Sequence, residues 1–216
     1  MNYEYKYAPK TLHEVIFPTV RAEQIIKGMV PDMGRNLILY GPAGTGKTTC
    51  AKLIPLEVAR ARTNNPDLTE VYYISHTGDE LNIDKIKQLG EQVGMVNIGQ
   101  LPKHVIVIDE ADRMSPAAME VLKIAMDKGA DRAVWIFCTN KLDKFASPVL
   151  SRCTVLDFAQ YDEEPMFERA ETIFANENVK VPEEKIKGLV RAANGDIRKL
   201  NQHLQEVAER RAVQCH

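Results

Sequence analysis

The sequence predicts an α/β fold in which a parallel sheet carries helices on both faces and is followed by a small helical unit. Over the first 158 residues, short apolar runs typical of strands alternate with helix-like stretches, a pattern that favours a parallel sheet. After Phe158 the strand-like runs stop and only helical stretches follow. We therefore expect two domains, residues 1–158 and 159–216.

The composition is typical of a soluble globular protein. Hydrophobic residues make up 44% of the 216 residues and charged residues 27%. No apolar run approaches the roughly 18 residues that a membrane-spanning helix needs. The first residues, Met1 to Lys6, lack the basic and then apolar order of a secretory signal. We expect no membrane partner and an intracellular location, in cytoplasm or nucleus, or in the host cytoplasm if the protein is viral.

The charge balance and the cysteines exclude further classes of function. A formal net charge of −2 is unlike that of a protein coated in positive charge for nucleic acid, so any DNA contact must be local. The four cysteines contain no Cys-x-x-Cys pair, and they are Cys50, Cys138, Cys153 and Cys215. Neither a zinc site nor a disulfide framework is indicated, and we expect reduced thiols.

Five strands are expected in the first domain. The apolar runs that predict them are Asn36–Tyr40, Val71–Ile74, Val105–Ile108, Ala133–Cys138 and Thr154–Phe158. The third run is continuous enough for a central strand that is buried on both faces. Helices are expected over Thr48–Ala61 and from Ile83 to about Gln92, with a polar turn at Ser75–Glu80 before the second of them.

Three helices are expected in the second domain, at about Asp162–Glu177, Pro182–Ala193 and Asp196–Arg211. Each stretch has a start signal. Asp162 can cap its helix and Pro182 suits a first-turn position, while Gly195 and Asp196 can end one helix and cap the next.

A phosphate-binding loop is predicted at Gly41–Thr48, which matches G-x-x-x-x-G-K-[ST] at every fixed position. It lies between a predicted strand and a predicted helix, as this motif requires. Its glycines let backbone N–H groups point at phosphate oxygens, and the helix N-terminus adds its positive dipole end. Lys47 would neutralise the β- and γ-phosphates, and the Thr48 hydroxyl would ligate Mg²⁺. The alternative is a chance glycine-rich turn.

Two carboxylates follow the predicted central strand, at the end where ligands bind in open α/β sheets. Asp109 would hold Mg²⁺, and Glu110 would polarise the water that attacks the γ-phosphate. The alternative is an ordinary acidic strand end, with Asp112 capping the next helix. Together with the phosphate loop, the pair predicts an ATPase.

The series of motifs resembles the AAA+ ATPases, and within them the small ATPase subunits of replication factor C-type sliding-clamp loaders. The motifs lie at Lys47, Asp109–Asp112, Thr139–Asn140, Ser151–Cys153 and Gly195–Arg198. Lys6-Tyr7-x-Pro9, the Asp-Glu-Ala-Asp form of the second motif and the Ser-Arg-Cys triplet support that branch. The similarity runs from about Tyr5 to Arg211. It implies a P-loop NTPase (AAA+) fold with a five-stranded parallel sheet and a three-helix lid domain.

The resemblance also implies roles for single residues. Asn140 matches the sensor that positions the attacking water, and Arg198 matches the lid arginine that senses the γ-phosphate. Arg152 matches the arginine finger, which acts on the neighbouring subunit's site. The implied nucleotide-binding residues are Val15, Ile16, Pro42, Ala43, Gly44, Thr45, Gly46, Lys47, Thr48, Thr49 and Arg198. Alternatively, Asn140 is a turn residue, Arg152 a surface arginine, and Val15 and Ile16 core residues.

The sequence departs from the family pattern at three places. Ala8 stands where these loaders usually have arginine, which removes one N-terminal contact. The family's glutamine and paired arginines on the central helix are replaced by Met119, Glu120, Lys123 and Ile124. Family subunits also continue into a third, collar domain, whereas this chain ends at His216. The chain is either a truncation or a naturally short version.

The resemblance implies partners as well: other loader subunits in a ring, a sliding clamp and primer-template DNA. Lys85, Lys87 and Lys123 are the candidates for contacts to the DNA backbone, and the alternative for each is a solvated lysine on a helix face. The leading hypothesis is a clamp-loader ATPase. The alternatives are an ATP-gated binding module with little turnover, and a helicase suggested by Asp-Glu-Ala-Asp, against which the absence of a Ser-Ala-Thr motif argues.

Overall fold

The structure is a computed structural model that describes residues 2–97, 99–159 and 161–214. Its strands are β1 Asn36–Tyr40, β2 Ile74–Thr77, β3 His104–Asp109, β4 Ala133–Thr139 and β5 Cys153–Asp157. Its α-helices are α1 Tyr3–Lys6, α2 Val20–Lys27, α3 Lys47–Thr63, α4 Ile83–Gln92, α5 Pro116–Lys128, α6 Ser147–Leu150, α7 Glu163–Asn176, α8 Glu183–Ala193 and α9 Ile197–Gln214.

The strands form one sheet in the order β2-β3-β4-β1-β5, and every neighbouring pair is parallel. The predicted five-stranded parallel sheet is confirmed. Because parallel strands all end at the same edge, the carboxyl ends of β3, β4 and β1 lie side by side. The amino end of β5 lies at the opposite edge. This arrangement decides which of the predicted site residues can meet.

Alternate residues of the central strands point into two separate cores. Val134 and Ile136 of β4 belong to the core that includes residues of α2 and α3. Trp135 and Phe137 belong to the core that includes residues of α4 and α5. Burial of both faces in this way accounts for strands that are apolar without alternation. The prediction of helices on both faces is confirmed.

The second strand lies three residues later than the sequence predicted. We expected Val71–Ile74, but β2 runs over Ile74–Thr77, paired from Ile74 beside Ile106 to Thr77 beside Asp109. This strand is at the sheet edge and has one neighbour, so the pairing with β3 overrides the β-propensity of the apolar run. Tyr72, within the predicted strand, is 82% exposed.

The last three helices bury a third core of their own. Residues from all three contribute to it, among them Ala170, Ile173, Ile186, Val190, Leu200 and Leu204. At the start of α9, Asp196 Oδ1 accepts a hydrogen bond of 2.9 Å from the backbone N–H of Lys199, as predicted. Pro182 precedes α8 instead of lying in its first turn. Asp162 stands at the cap position of α7, but its side chain makes no capping hydrogen bond.

The amino-terminal segment packs on the same helical core. Tyr3 is buried in it, and Tyr7 and Ile16 pack against it. Lys6 Nζ and the Tyr7 hydroxyl both donate to Glu177 Oε1 at the end of α7, each at 2.5 Å. The amino-terminal segment is therefore attached to the helical unit, while the division into residues 1–158 and 159–216 stays a prediction.

Candidate nucleotide-binding site

The phosphate loop leaves the carboxyl end of β1 and enters α3, as the sequence predicted. Gly44 has a φ of +80°, and a Cβ there would lie 2.1 Å from Asp196 Oδ1. Only glycine therefore fits between the loop and the start of α9. The first N–H groups of α3 are left without helical acceptors, which makes this helix start a suitable anion site.

Lys47 points its ammonium group back into the loop. Its Nζ donates to the carbonyl oxygens of Gly41 at 2.7 Å and Pro42 at 2.5 Å. Burial lowers the pKa of Lys47, and the negative charges of Asp109 and Asp112 oppose this shift. No carboxylate lies within 4.0 Å of Nζ among the residues that the structure describes. A buried cation without a paired anion is suited to a phosphate ligand.

A hydroxyl and a carboxylate meet beside this lysine. Thr48 Oγ1 donates to Asp109 Oδ2 at 2.8 Å, across the junction of α3 and β3. These are oxygen ligands of the kind that Mg²⁺ prefers. Within the described ranges, no three His, Cys, Asp or Glu residues cluster as a metal site by themselves. The donor set therefore fits Mg²⁺ that arrives with a phosphate ligand and completes its shell from phosphate and water.

Glu110 is held in an unusual backbone conformation directly after β3. Its φ of 47° and ψ of 41° are left-handed, which is uncommon for a residue other than glycine and is frequent at functional sites. Gly78, at the end of β2, packs so closely beneath it that a Cβ would lie 2.3 Å from the Glu110 carbonyl oxygen. The carboxylate forms an ion pair of 2.8 Å with Arg113.

Asn140 lies at the end of β4, where Asp112 anchors it. Asp112 Oδ1 accepts hydrogen bonds from Thr139 Oγ1 at 3.0 Å and from the Asn140 backbone N–H at 3.5 Å. With its amide nitrogen facing Asp112, the Asn140 side chain also lies 3.1 Å from Oδ2. Ser115, not Asp112, caps the following helix. Asp112 is therefore a positioning residue, which corrects the alternative that we considered from the sequence.

The start of α9 closes the site from the helical unit. The backbone N–H groups of Ile197 and Arg198 both approach the Gly44 carbonyl oxygen, at 3.0 and 3.3 Å. The Tyr161 hydroxyl donates to the Thr45 carbonyl oxygen at 2.5 Å. The Arg198 guanidinium forms an ion pair of 2.8 Å with Glu4 of α1. The phosphate loop is thus attached directly to the helical unit.

These groups line one cavity of about 320 Å³. The predicted residues that line it are Val15, Ile16, Ala43, Gly44, Thr45, Gly46, Lys47, Thr48, Thr49, Asp109, Glu110, Asn140 and Arg198. Pro42, which was also predicted, does not line it, and its carbonyl oxygen accepts hydrogen bonds from Lys47 and Thr45. Val15 and Ile16 also pack against the cores, so the two interpretations of these residues are compatible.

Arg152 lies away from this cavity. It directly precedes β5, at the sheet edge opposite the phosphate loop. Its Nε and Nη2 donate to the two carboxylate oxygens of Asp127, at 2.7 and 3.1 Å. Hydrogen bonds from Arg152 lower the pKa of Asp127. In this arrangement Arg152 cannot reach the phosphate loop of its own chain.

A match to a protein family covers more than half of the chain. Residues 37–161 match the model of the AAA family, described as the ATPase family associated with various cellular activities. The chain belongs to the AAA family. The matched segment contains the phosphate loop, the acidic pair, Asn140 and Arg152, so the family assignment and the site geometry rest on the same residues.

Among curated relatives, this AAA-family chain is similar to small subunits of replication factor C. It is 30% identical to the Replication factor C small subunit of Haloarcula marismortui over 204 residues, which are 93% of this chain and 60% of the relative. It is 31% identical to small subunit 1 of Pyrobaculum aerophilum over 210 residues, 94% and 60% of the two chains. The chain spans about three fifths of the length of these relatives.

Solved structures show the same fold. RuvB of Thermotoga maritima superposes with a TM-score of 0.72 at 20% sequence identity, covering 94% of this chain and 65% of that chain. Another structure, of RuvB as a Holliday junction branch migration motor, gives a TM-score of 0.67 with the same coverage. At 20% sequence identity, this similarity shows only that the fold of the sheet and helices is shared.

The three candidate DNA-binding lysines lie on one side of the AAA sheet. Lys85 and Lys87 are on α4 and Lys123 is on α5, and these two helices share the second core. Lys87 is exposed and lies 4.0 Å from Asp84. Their contact with DNA stays a prediction.

In the described part of the chain, no helix has both the length and the apolar character that crossing a bilayer requires.

Sequence reasoning missed several residues of the site. Asp112 was considered only as a helix cap, and the cavity is also lined by Glu4, Arg169 and Asn201. No motif marks the last three, because they reach the cavity through the packing of α1, α7 and α9. Gly78 was likewise included in a polar turn, although it supports Glu110.

Proposed function

We propose that this chain binds ATP with Mg²⁺ in the cavity and hydrolyses it as an ATPase subunit of a sliding-clamp loader. The observation that carries the proposal is the Thr48–Asp109 hydrogen bond beside Lys47 and Glu110. It joins the phosphate loop to the acidic pair at the carboxyl edge of the sheet. A phosphate ligand, its metal and an attacking water all need groups at this place.

Binding of the triphosphate falls to the loop and Lys47. The α3 N–H groups and the Lys47 ammonium would replace the water around the β- and γ-phosphates. Thr48 and Asp109 would hold Mg²⁺, which offsets phosphate charge when bound. Lys47 now donates to loop carbonyl oxygens, and these bonds would be exchanged for stronger, charge-assisted bonds to phosphate.

Hydrolysis falls to Glu110 and Asn140. In the proposed step, the oxygen of a water attacks the γ-phosphorus while the bond to the β–γ bridging oxygen breaks. Glu110 accepts the proton of this water, and the products are ADP and inorganic phosphate. Asn140, oriented by Asp112, would hold the water in line.

Two arginines would stabilise the charge that develops on the transferred phosphoryl group. Arg198 lines the cavity and would act within its own chain after leaving Glu4. Arg152 would act on the site of a neighbouring subunit after leaving Asp127. A guanidinium supplied in this way is worth about 10³–10⁵ in rate. The position of Arg152 at the far edge of the sheet supports a site that is shared between two subunits.

The clamp-loading part of the proposal rests on the relatives named Replication factor C small subunit. ATP binding would assemble a ring with other loader subunits and open a sliding clamp. Contact with primer-template DNA, with Lys85, Lys87 and Lys123 as candidates, would trigger hydrolysis and release the clamp. The protein would then be intracellular. If the purified assembly hydrolysed ATP with no response to primed DNA and its clamp, this part would be wrong.

Lys47→Ala tests the nucleotide site. Removing a buried charge that is paired with ligand costs about 2–5 kcal/mol, so we expect ATP binding to weaken roughly 30-fold or more. Lys52→Ala is the matched control, because Lys52 is an exposed lysine on the same helix. Titration calorimetry measures both variants. Equal ATP affinity for Lys47→Ala and Lys52→Ala would remove the basis of the proposal.

A second candidate function is an ATP-gated binding module that turns over slowly. It is favoured by the ion pairs that already engage Glu110, Arg152 and Arg198 within the chain. Such a module would use ATP to set the geometry of an assembly. Single-turnover hydrolysis in the complete assembly separates the two functions, because a rate typical of an active ATPase would dispose of the module.

A further inference from the structure

Two side chains that line the cavity have buried polar atoms without a partner. Asn201 of α9 is 4% exposed, and its Oδ1 accepts no hydrogen bond from any described residue. Arg169 of α7 is partly buried, and its buried Nε likewise has no partner, while its Nη2 donates to the Tyr7 carbonyl oxygen. A buried polar atom without a partner is costly, so these two atoms indicate that a polar ligand belongs there.

The position of Asn201 along α9 indicates which part of a nucleotide it would meet. The helix begins at the phosphate loop, where Ile197 and Arg198 approach Gly44. Asn201 lies four residues after Ile197 on the same face, and therefore about 6 Å further along the helix axis. Both side chains line the cavity. Asn201 thus lies one turn beyond the phosphate end, towards the nucleoside.

The walls at this end suit a flat base. Val15 and Ile16 line the cavity with apolar surface, together with Ala8 and Pro9. Ile16 packs against the same helical core as Leu200 and Leu204, the neighbours of Asn201 on α9. An amide side chain beside apolar walls can pair with the edge of a purine while the walls cover its faces.

We propose that Asn201 is the residue that determines base specificity, with its amide paired to the exocyclic amine and an adjacent ring nitrogen of adenine. An amide offers one acceptor and one donor side by side, which matches the donor and acceptor that adenine presents in the same order. The inference rests on the proposed ATP binding. It makes the helical unit, and not only the sheet domain, part of nucleotide selection.

The test compares ATP with purine riboside 5′-triphosphate, which lacks the exocyclic amine. Wild-type protein should bind ATP about 5- to 150-fold more tightly than this analogue, the range expected for a bidentate pair with a base. Asn201→Leu should weaken ATP binding by a similar factor and weaken analogue binding less, because the analogue offers only the ring nitrogen to the amide, so that the ratio falls towards one. Mg²⁺ is withheld during the titrations so that hydrolysis does not interfere.

Two further variants keep the test decisive. Gln202→Leu is the matched control, because Gln202 is exposed on the same helix, and it should retain the wild-type ratio. Asn201→Ala repeats the comparison with a smaller side chain if leucine disturbs folding, which circular dichroism would reveal. A ratio near one in wild-type protein would overturn the inference, as would equal loss of ATP and analogue binding in Asn201→Leu. If wild-type protein bound no ATP at all, the proposed function would fall as well.

Discussion

Single residues in this site are held by neighbours whose supporting role no motif indicates. Asp112 fixes Thr139 and Asn140, and Gly78 leaves room for the backbone of Glu110. Such supporting contacts hold the reacting groups in place, because phosphoryl transfer tolerates only small displacements from the productive geometry. The acidic pair could be found from the sequence because it follows an unbroken apolar strand. The supporting contacts could not, because each joins residues that follow two different strands: Gly78 after β2 meets Glu110 after β3, and Asp112 after β3 meets Asn140 after β4.

Glu110→Gln should separate binding from chemistry. Glutamine has nearly the same shape but cannot accept the proton, so we expect ATP affinity within about twofold of wild type and turnover lower by roughly 10²–10⁴. Glu120→Gln, an exposed position on α5, is the control. Phosphate release in the assembled oligomer measures the effect, and wild-type turnover in Glu110→Gln would assign the proton transfer elsewhere.

At the scale of elements, tertiary contacts decided the register of β2 and the place where α1 packs. The edge strand follows the register of β3 and not its own apolar run. The short helix α1 packs on the core of α7, α8 and α9, and it brings Glu4 to Arg198. Four residues form too short a helix to be stable alone, so α1 depends on this packing. The same packing determines a contact with a nucleotide-site arginine.

The link between α1 and α7 should make stability depend on pH. Hydrogen bonds from Lys6 and Tyr7 lower the pKa of Glu177, whose ordinary value is 4.5. A lowered pKa in the folded state stabilises the fold above the unfolded pKa, and this contribution is lost as the pH falls below about 4.5. Burial, followed by the bond to Glu177, raises the pKa of Tyr7 to about 12. The stability that this shift of the Tyr7 pKa contributes is present below pH 10 and is lost as the pH rises towards 12.

Glu177→Gln should therefore lower the free energy of unfolding by roughly 1–3 kcal/mol at pH 7. The difference from wild type should begin to shrink as the pH falls below about 4.5, because Glu177 is then protonated first in the unfolded state. Glu171→Gln, at an exposed position of the same helix, should show neither effect. Urea unfolding at pH 7 and pH 4 measures both. A pH-independent difference would mean that the carboxylate charge does not contribute.

At the scale of the whole molecule, the sheet separates the two halves of the proposed catalytic apparatus. The phosphate loop, Asp109 and Asn140 lie at the carboxyl ends of β1, β3 and β4, whereas Arg152 precedes β5 at the other edge. A chain of this topology cannot fold Arg152 onto its own loop. A monomer should bind ATP but hydrolyse it slowly.

A mixing experiment tests the shared site. Lys47→Ala protein retains Arg152, and Arg152→Ala protein retains an intact nucleotide site. Each variant alone should be nearly inactive in an assembly, with turnover for Arg152→Ala lower by about 10³–10⁵ although its ATP binding is intact. Mixed assemblies should recover part of the wild-type turnover, since some interfaces then combine an intact site with an intact arginine. Without such recovery, Arg152 would have no role across the interface.

The sequence by itself determined the parallel sheet, the helical unit after it and the residues of the phosphate loop and acidic pair. These features are local, because periodicity, glycine spacing and strand–loop–helix order act over a few neighbouring residues. Only the tertiary structure decided the register of β2, the place of α1 and the distance between Arg152 and the loop. It also decided that Asn201 faces the cavity, because that depends on how α9 packs against the amino-terminal segment and the phosphate loop, which are distant in the sequence.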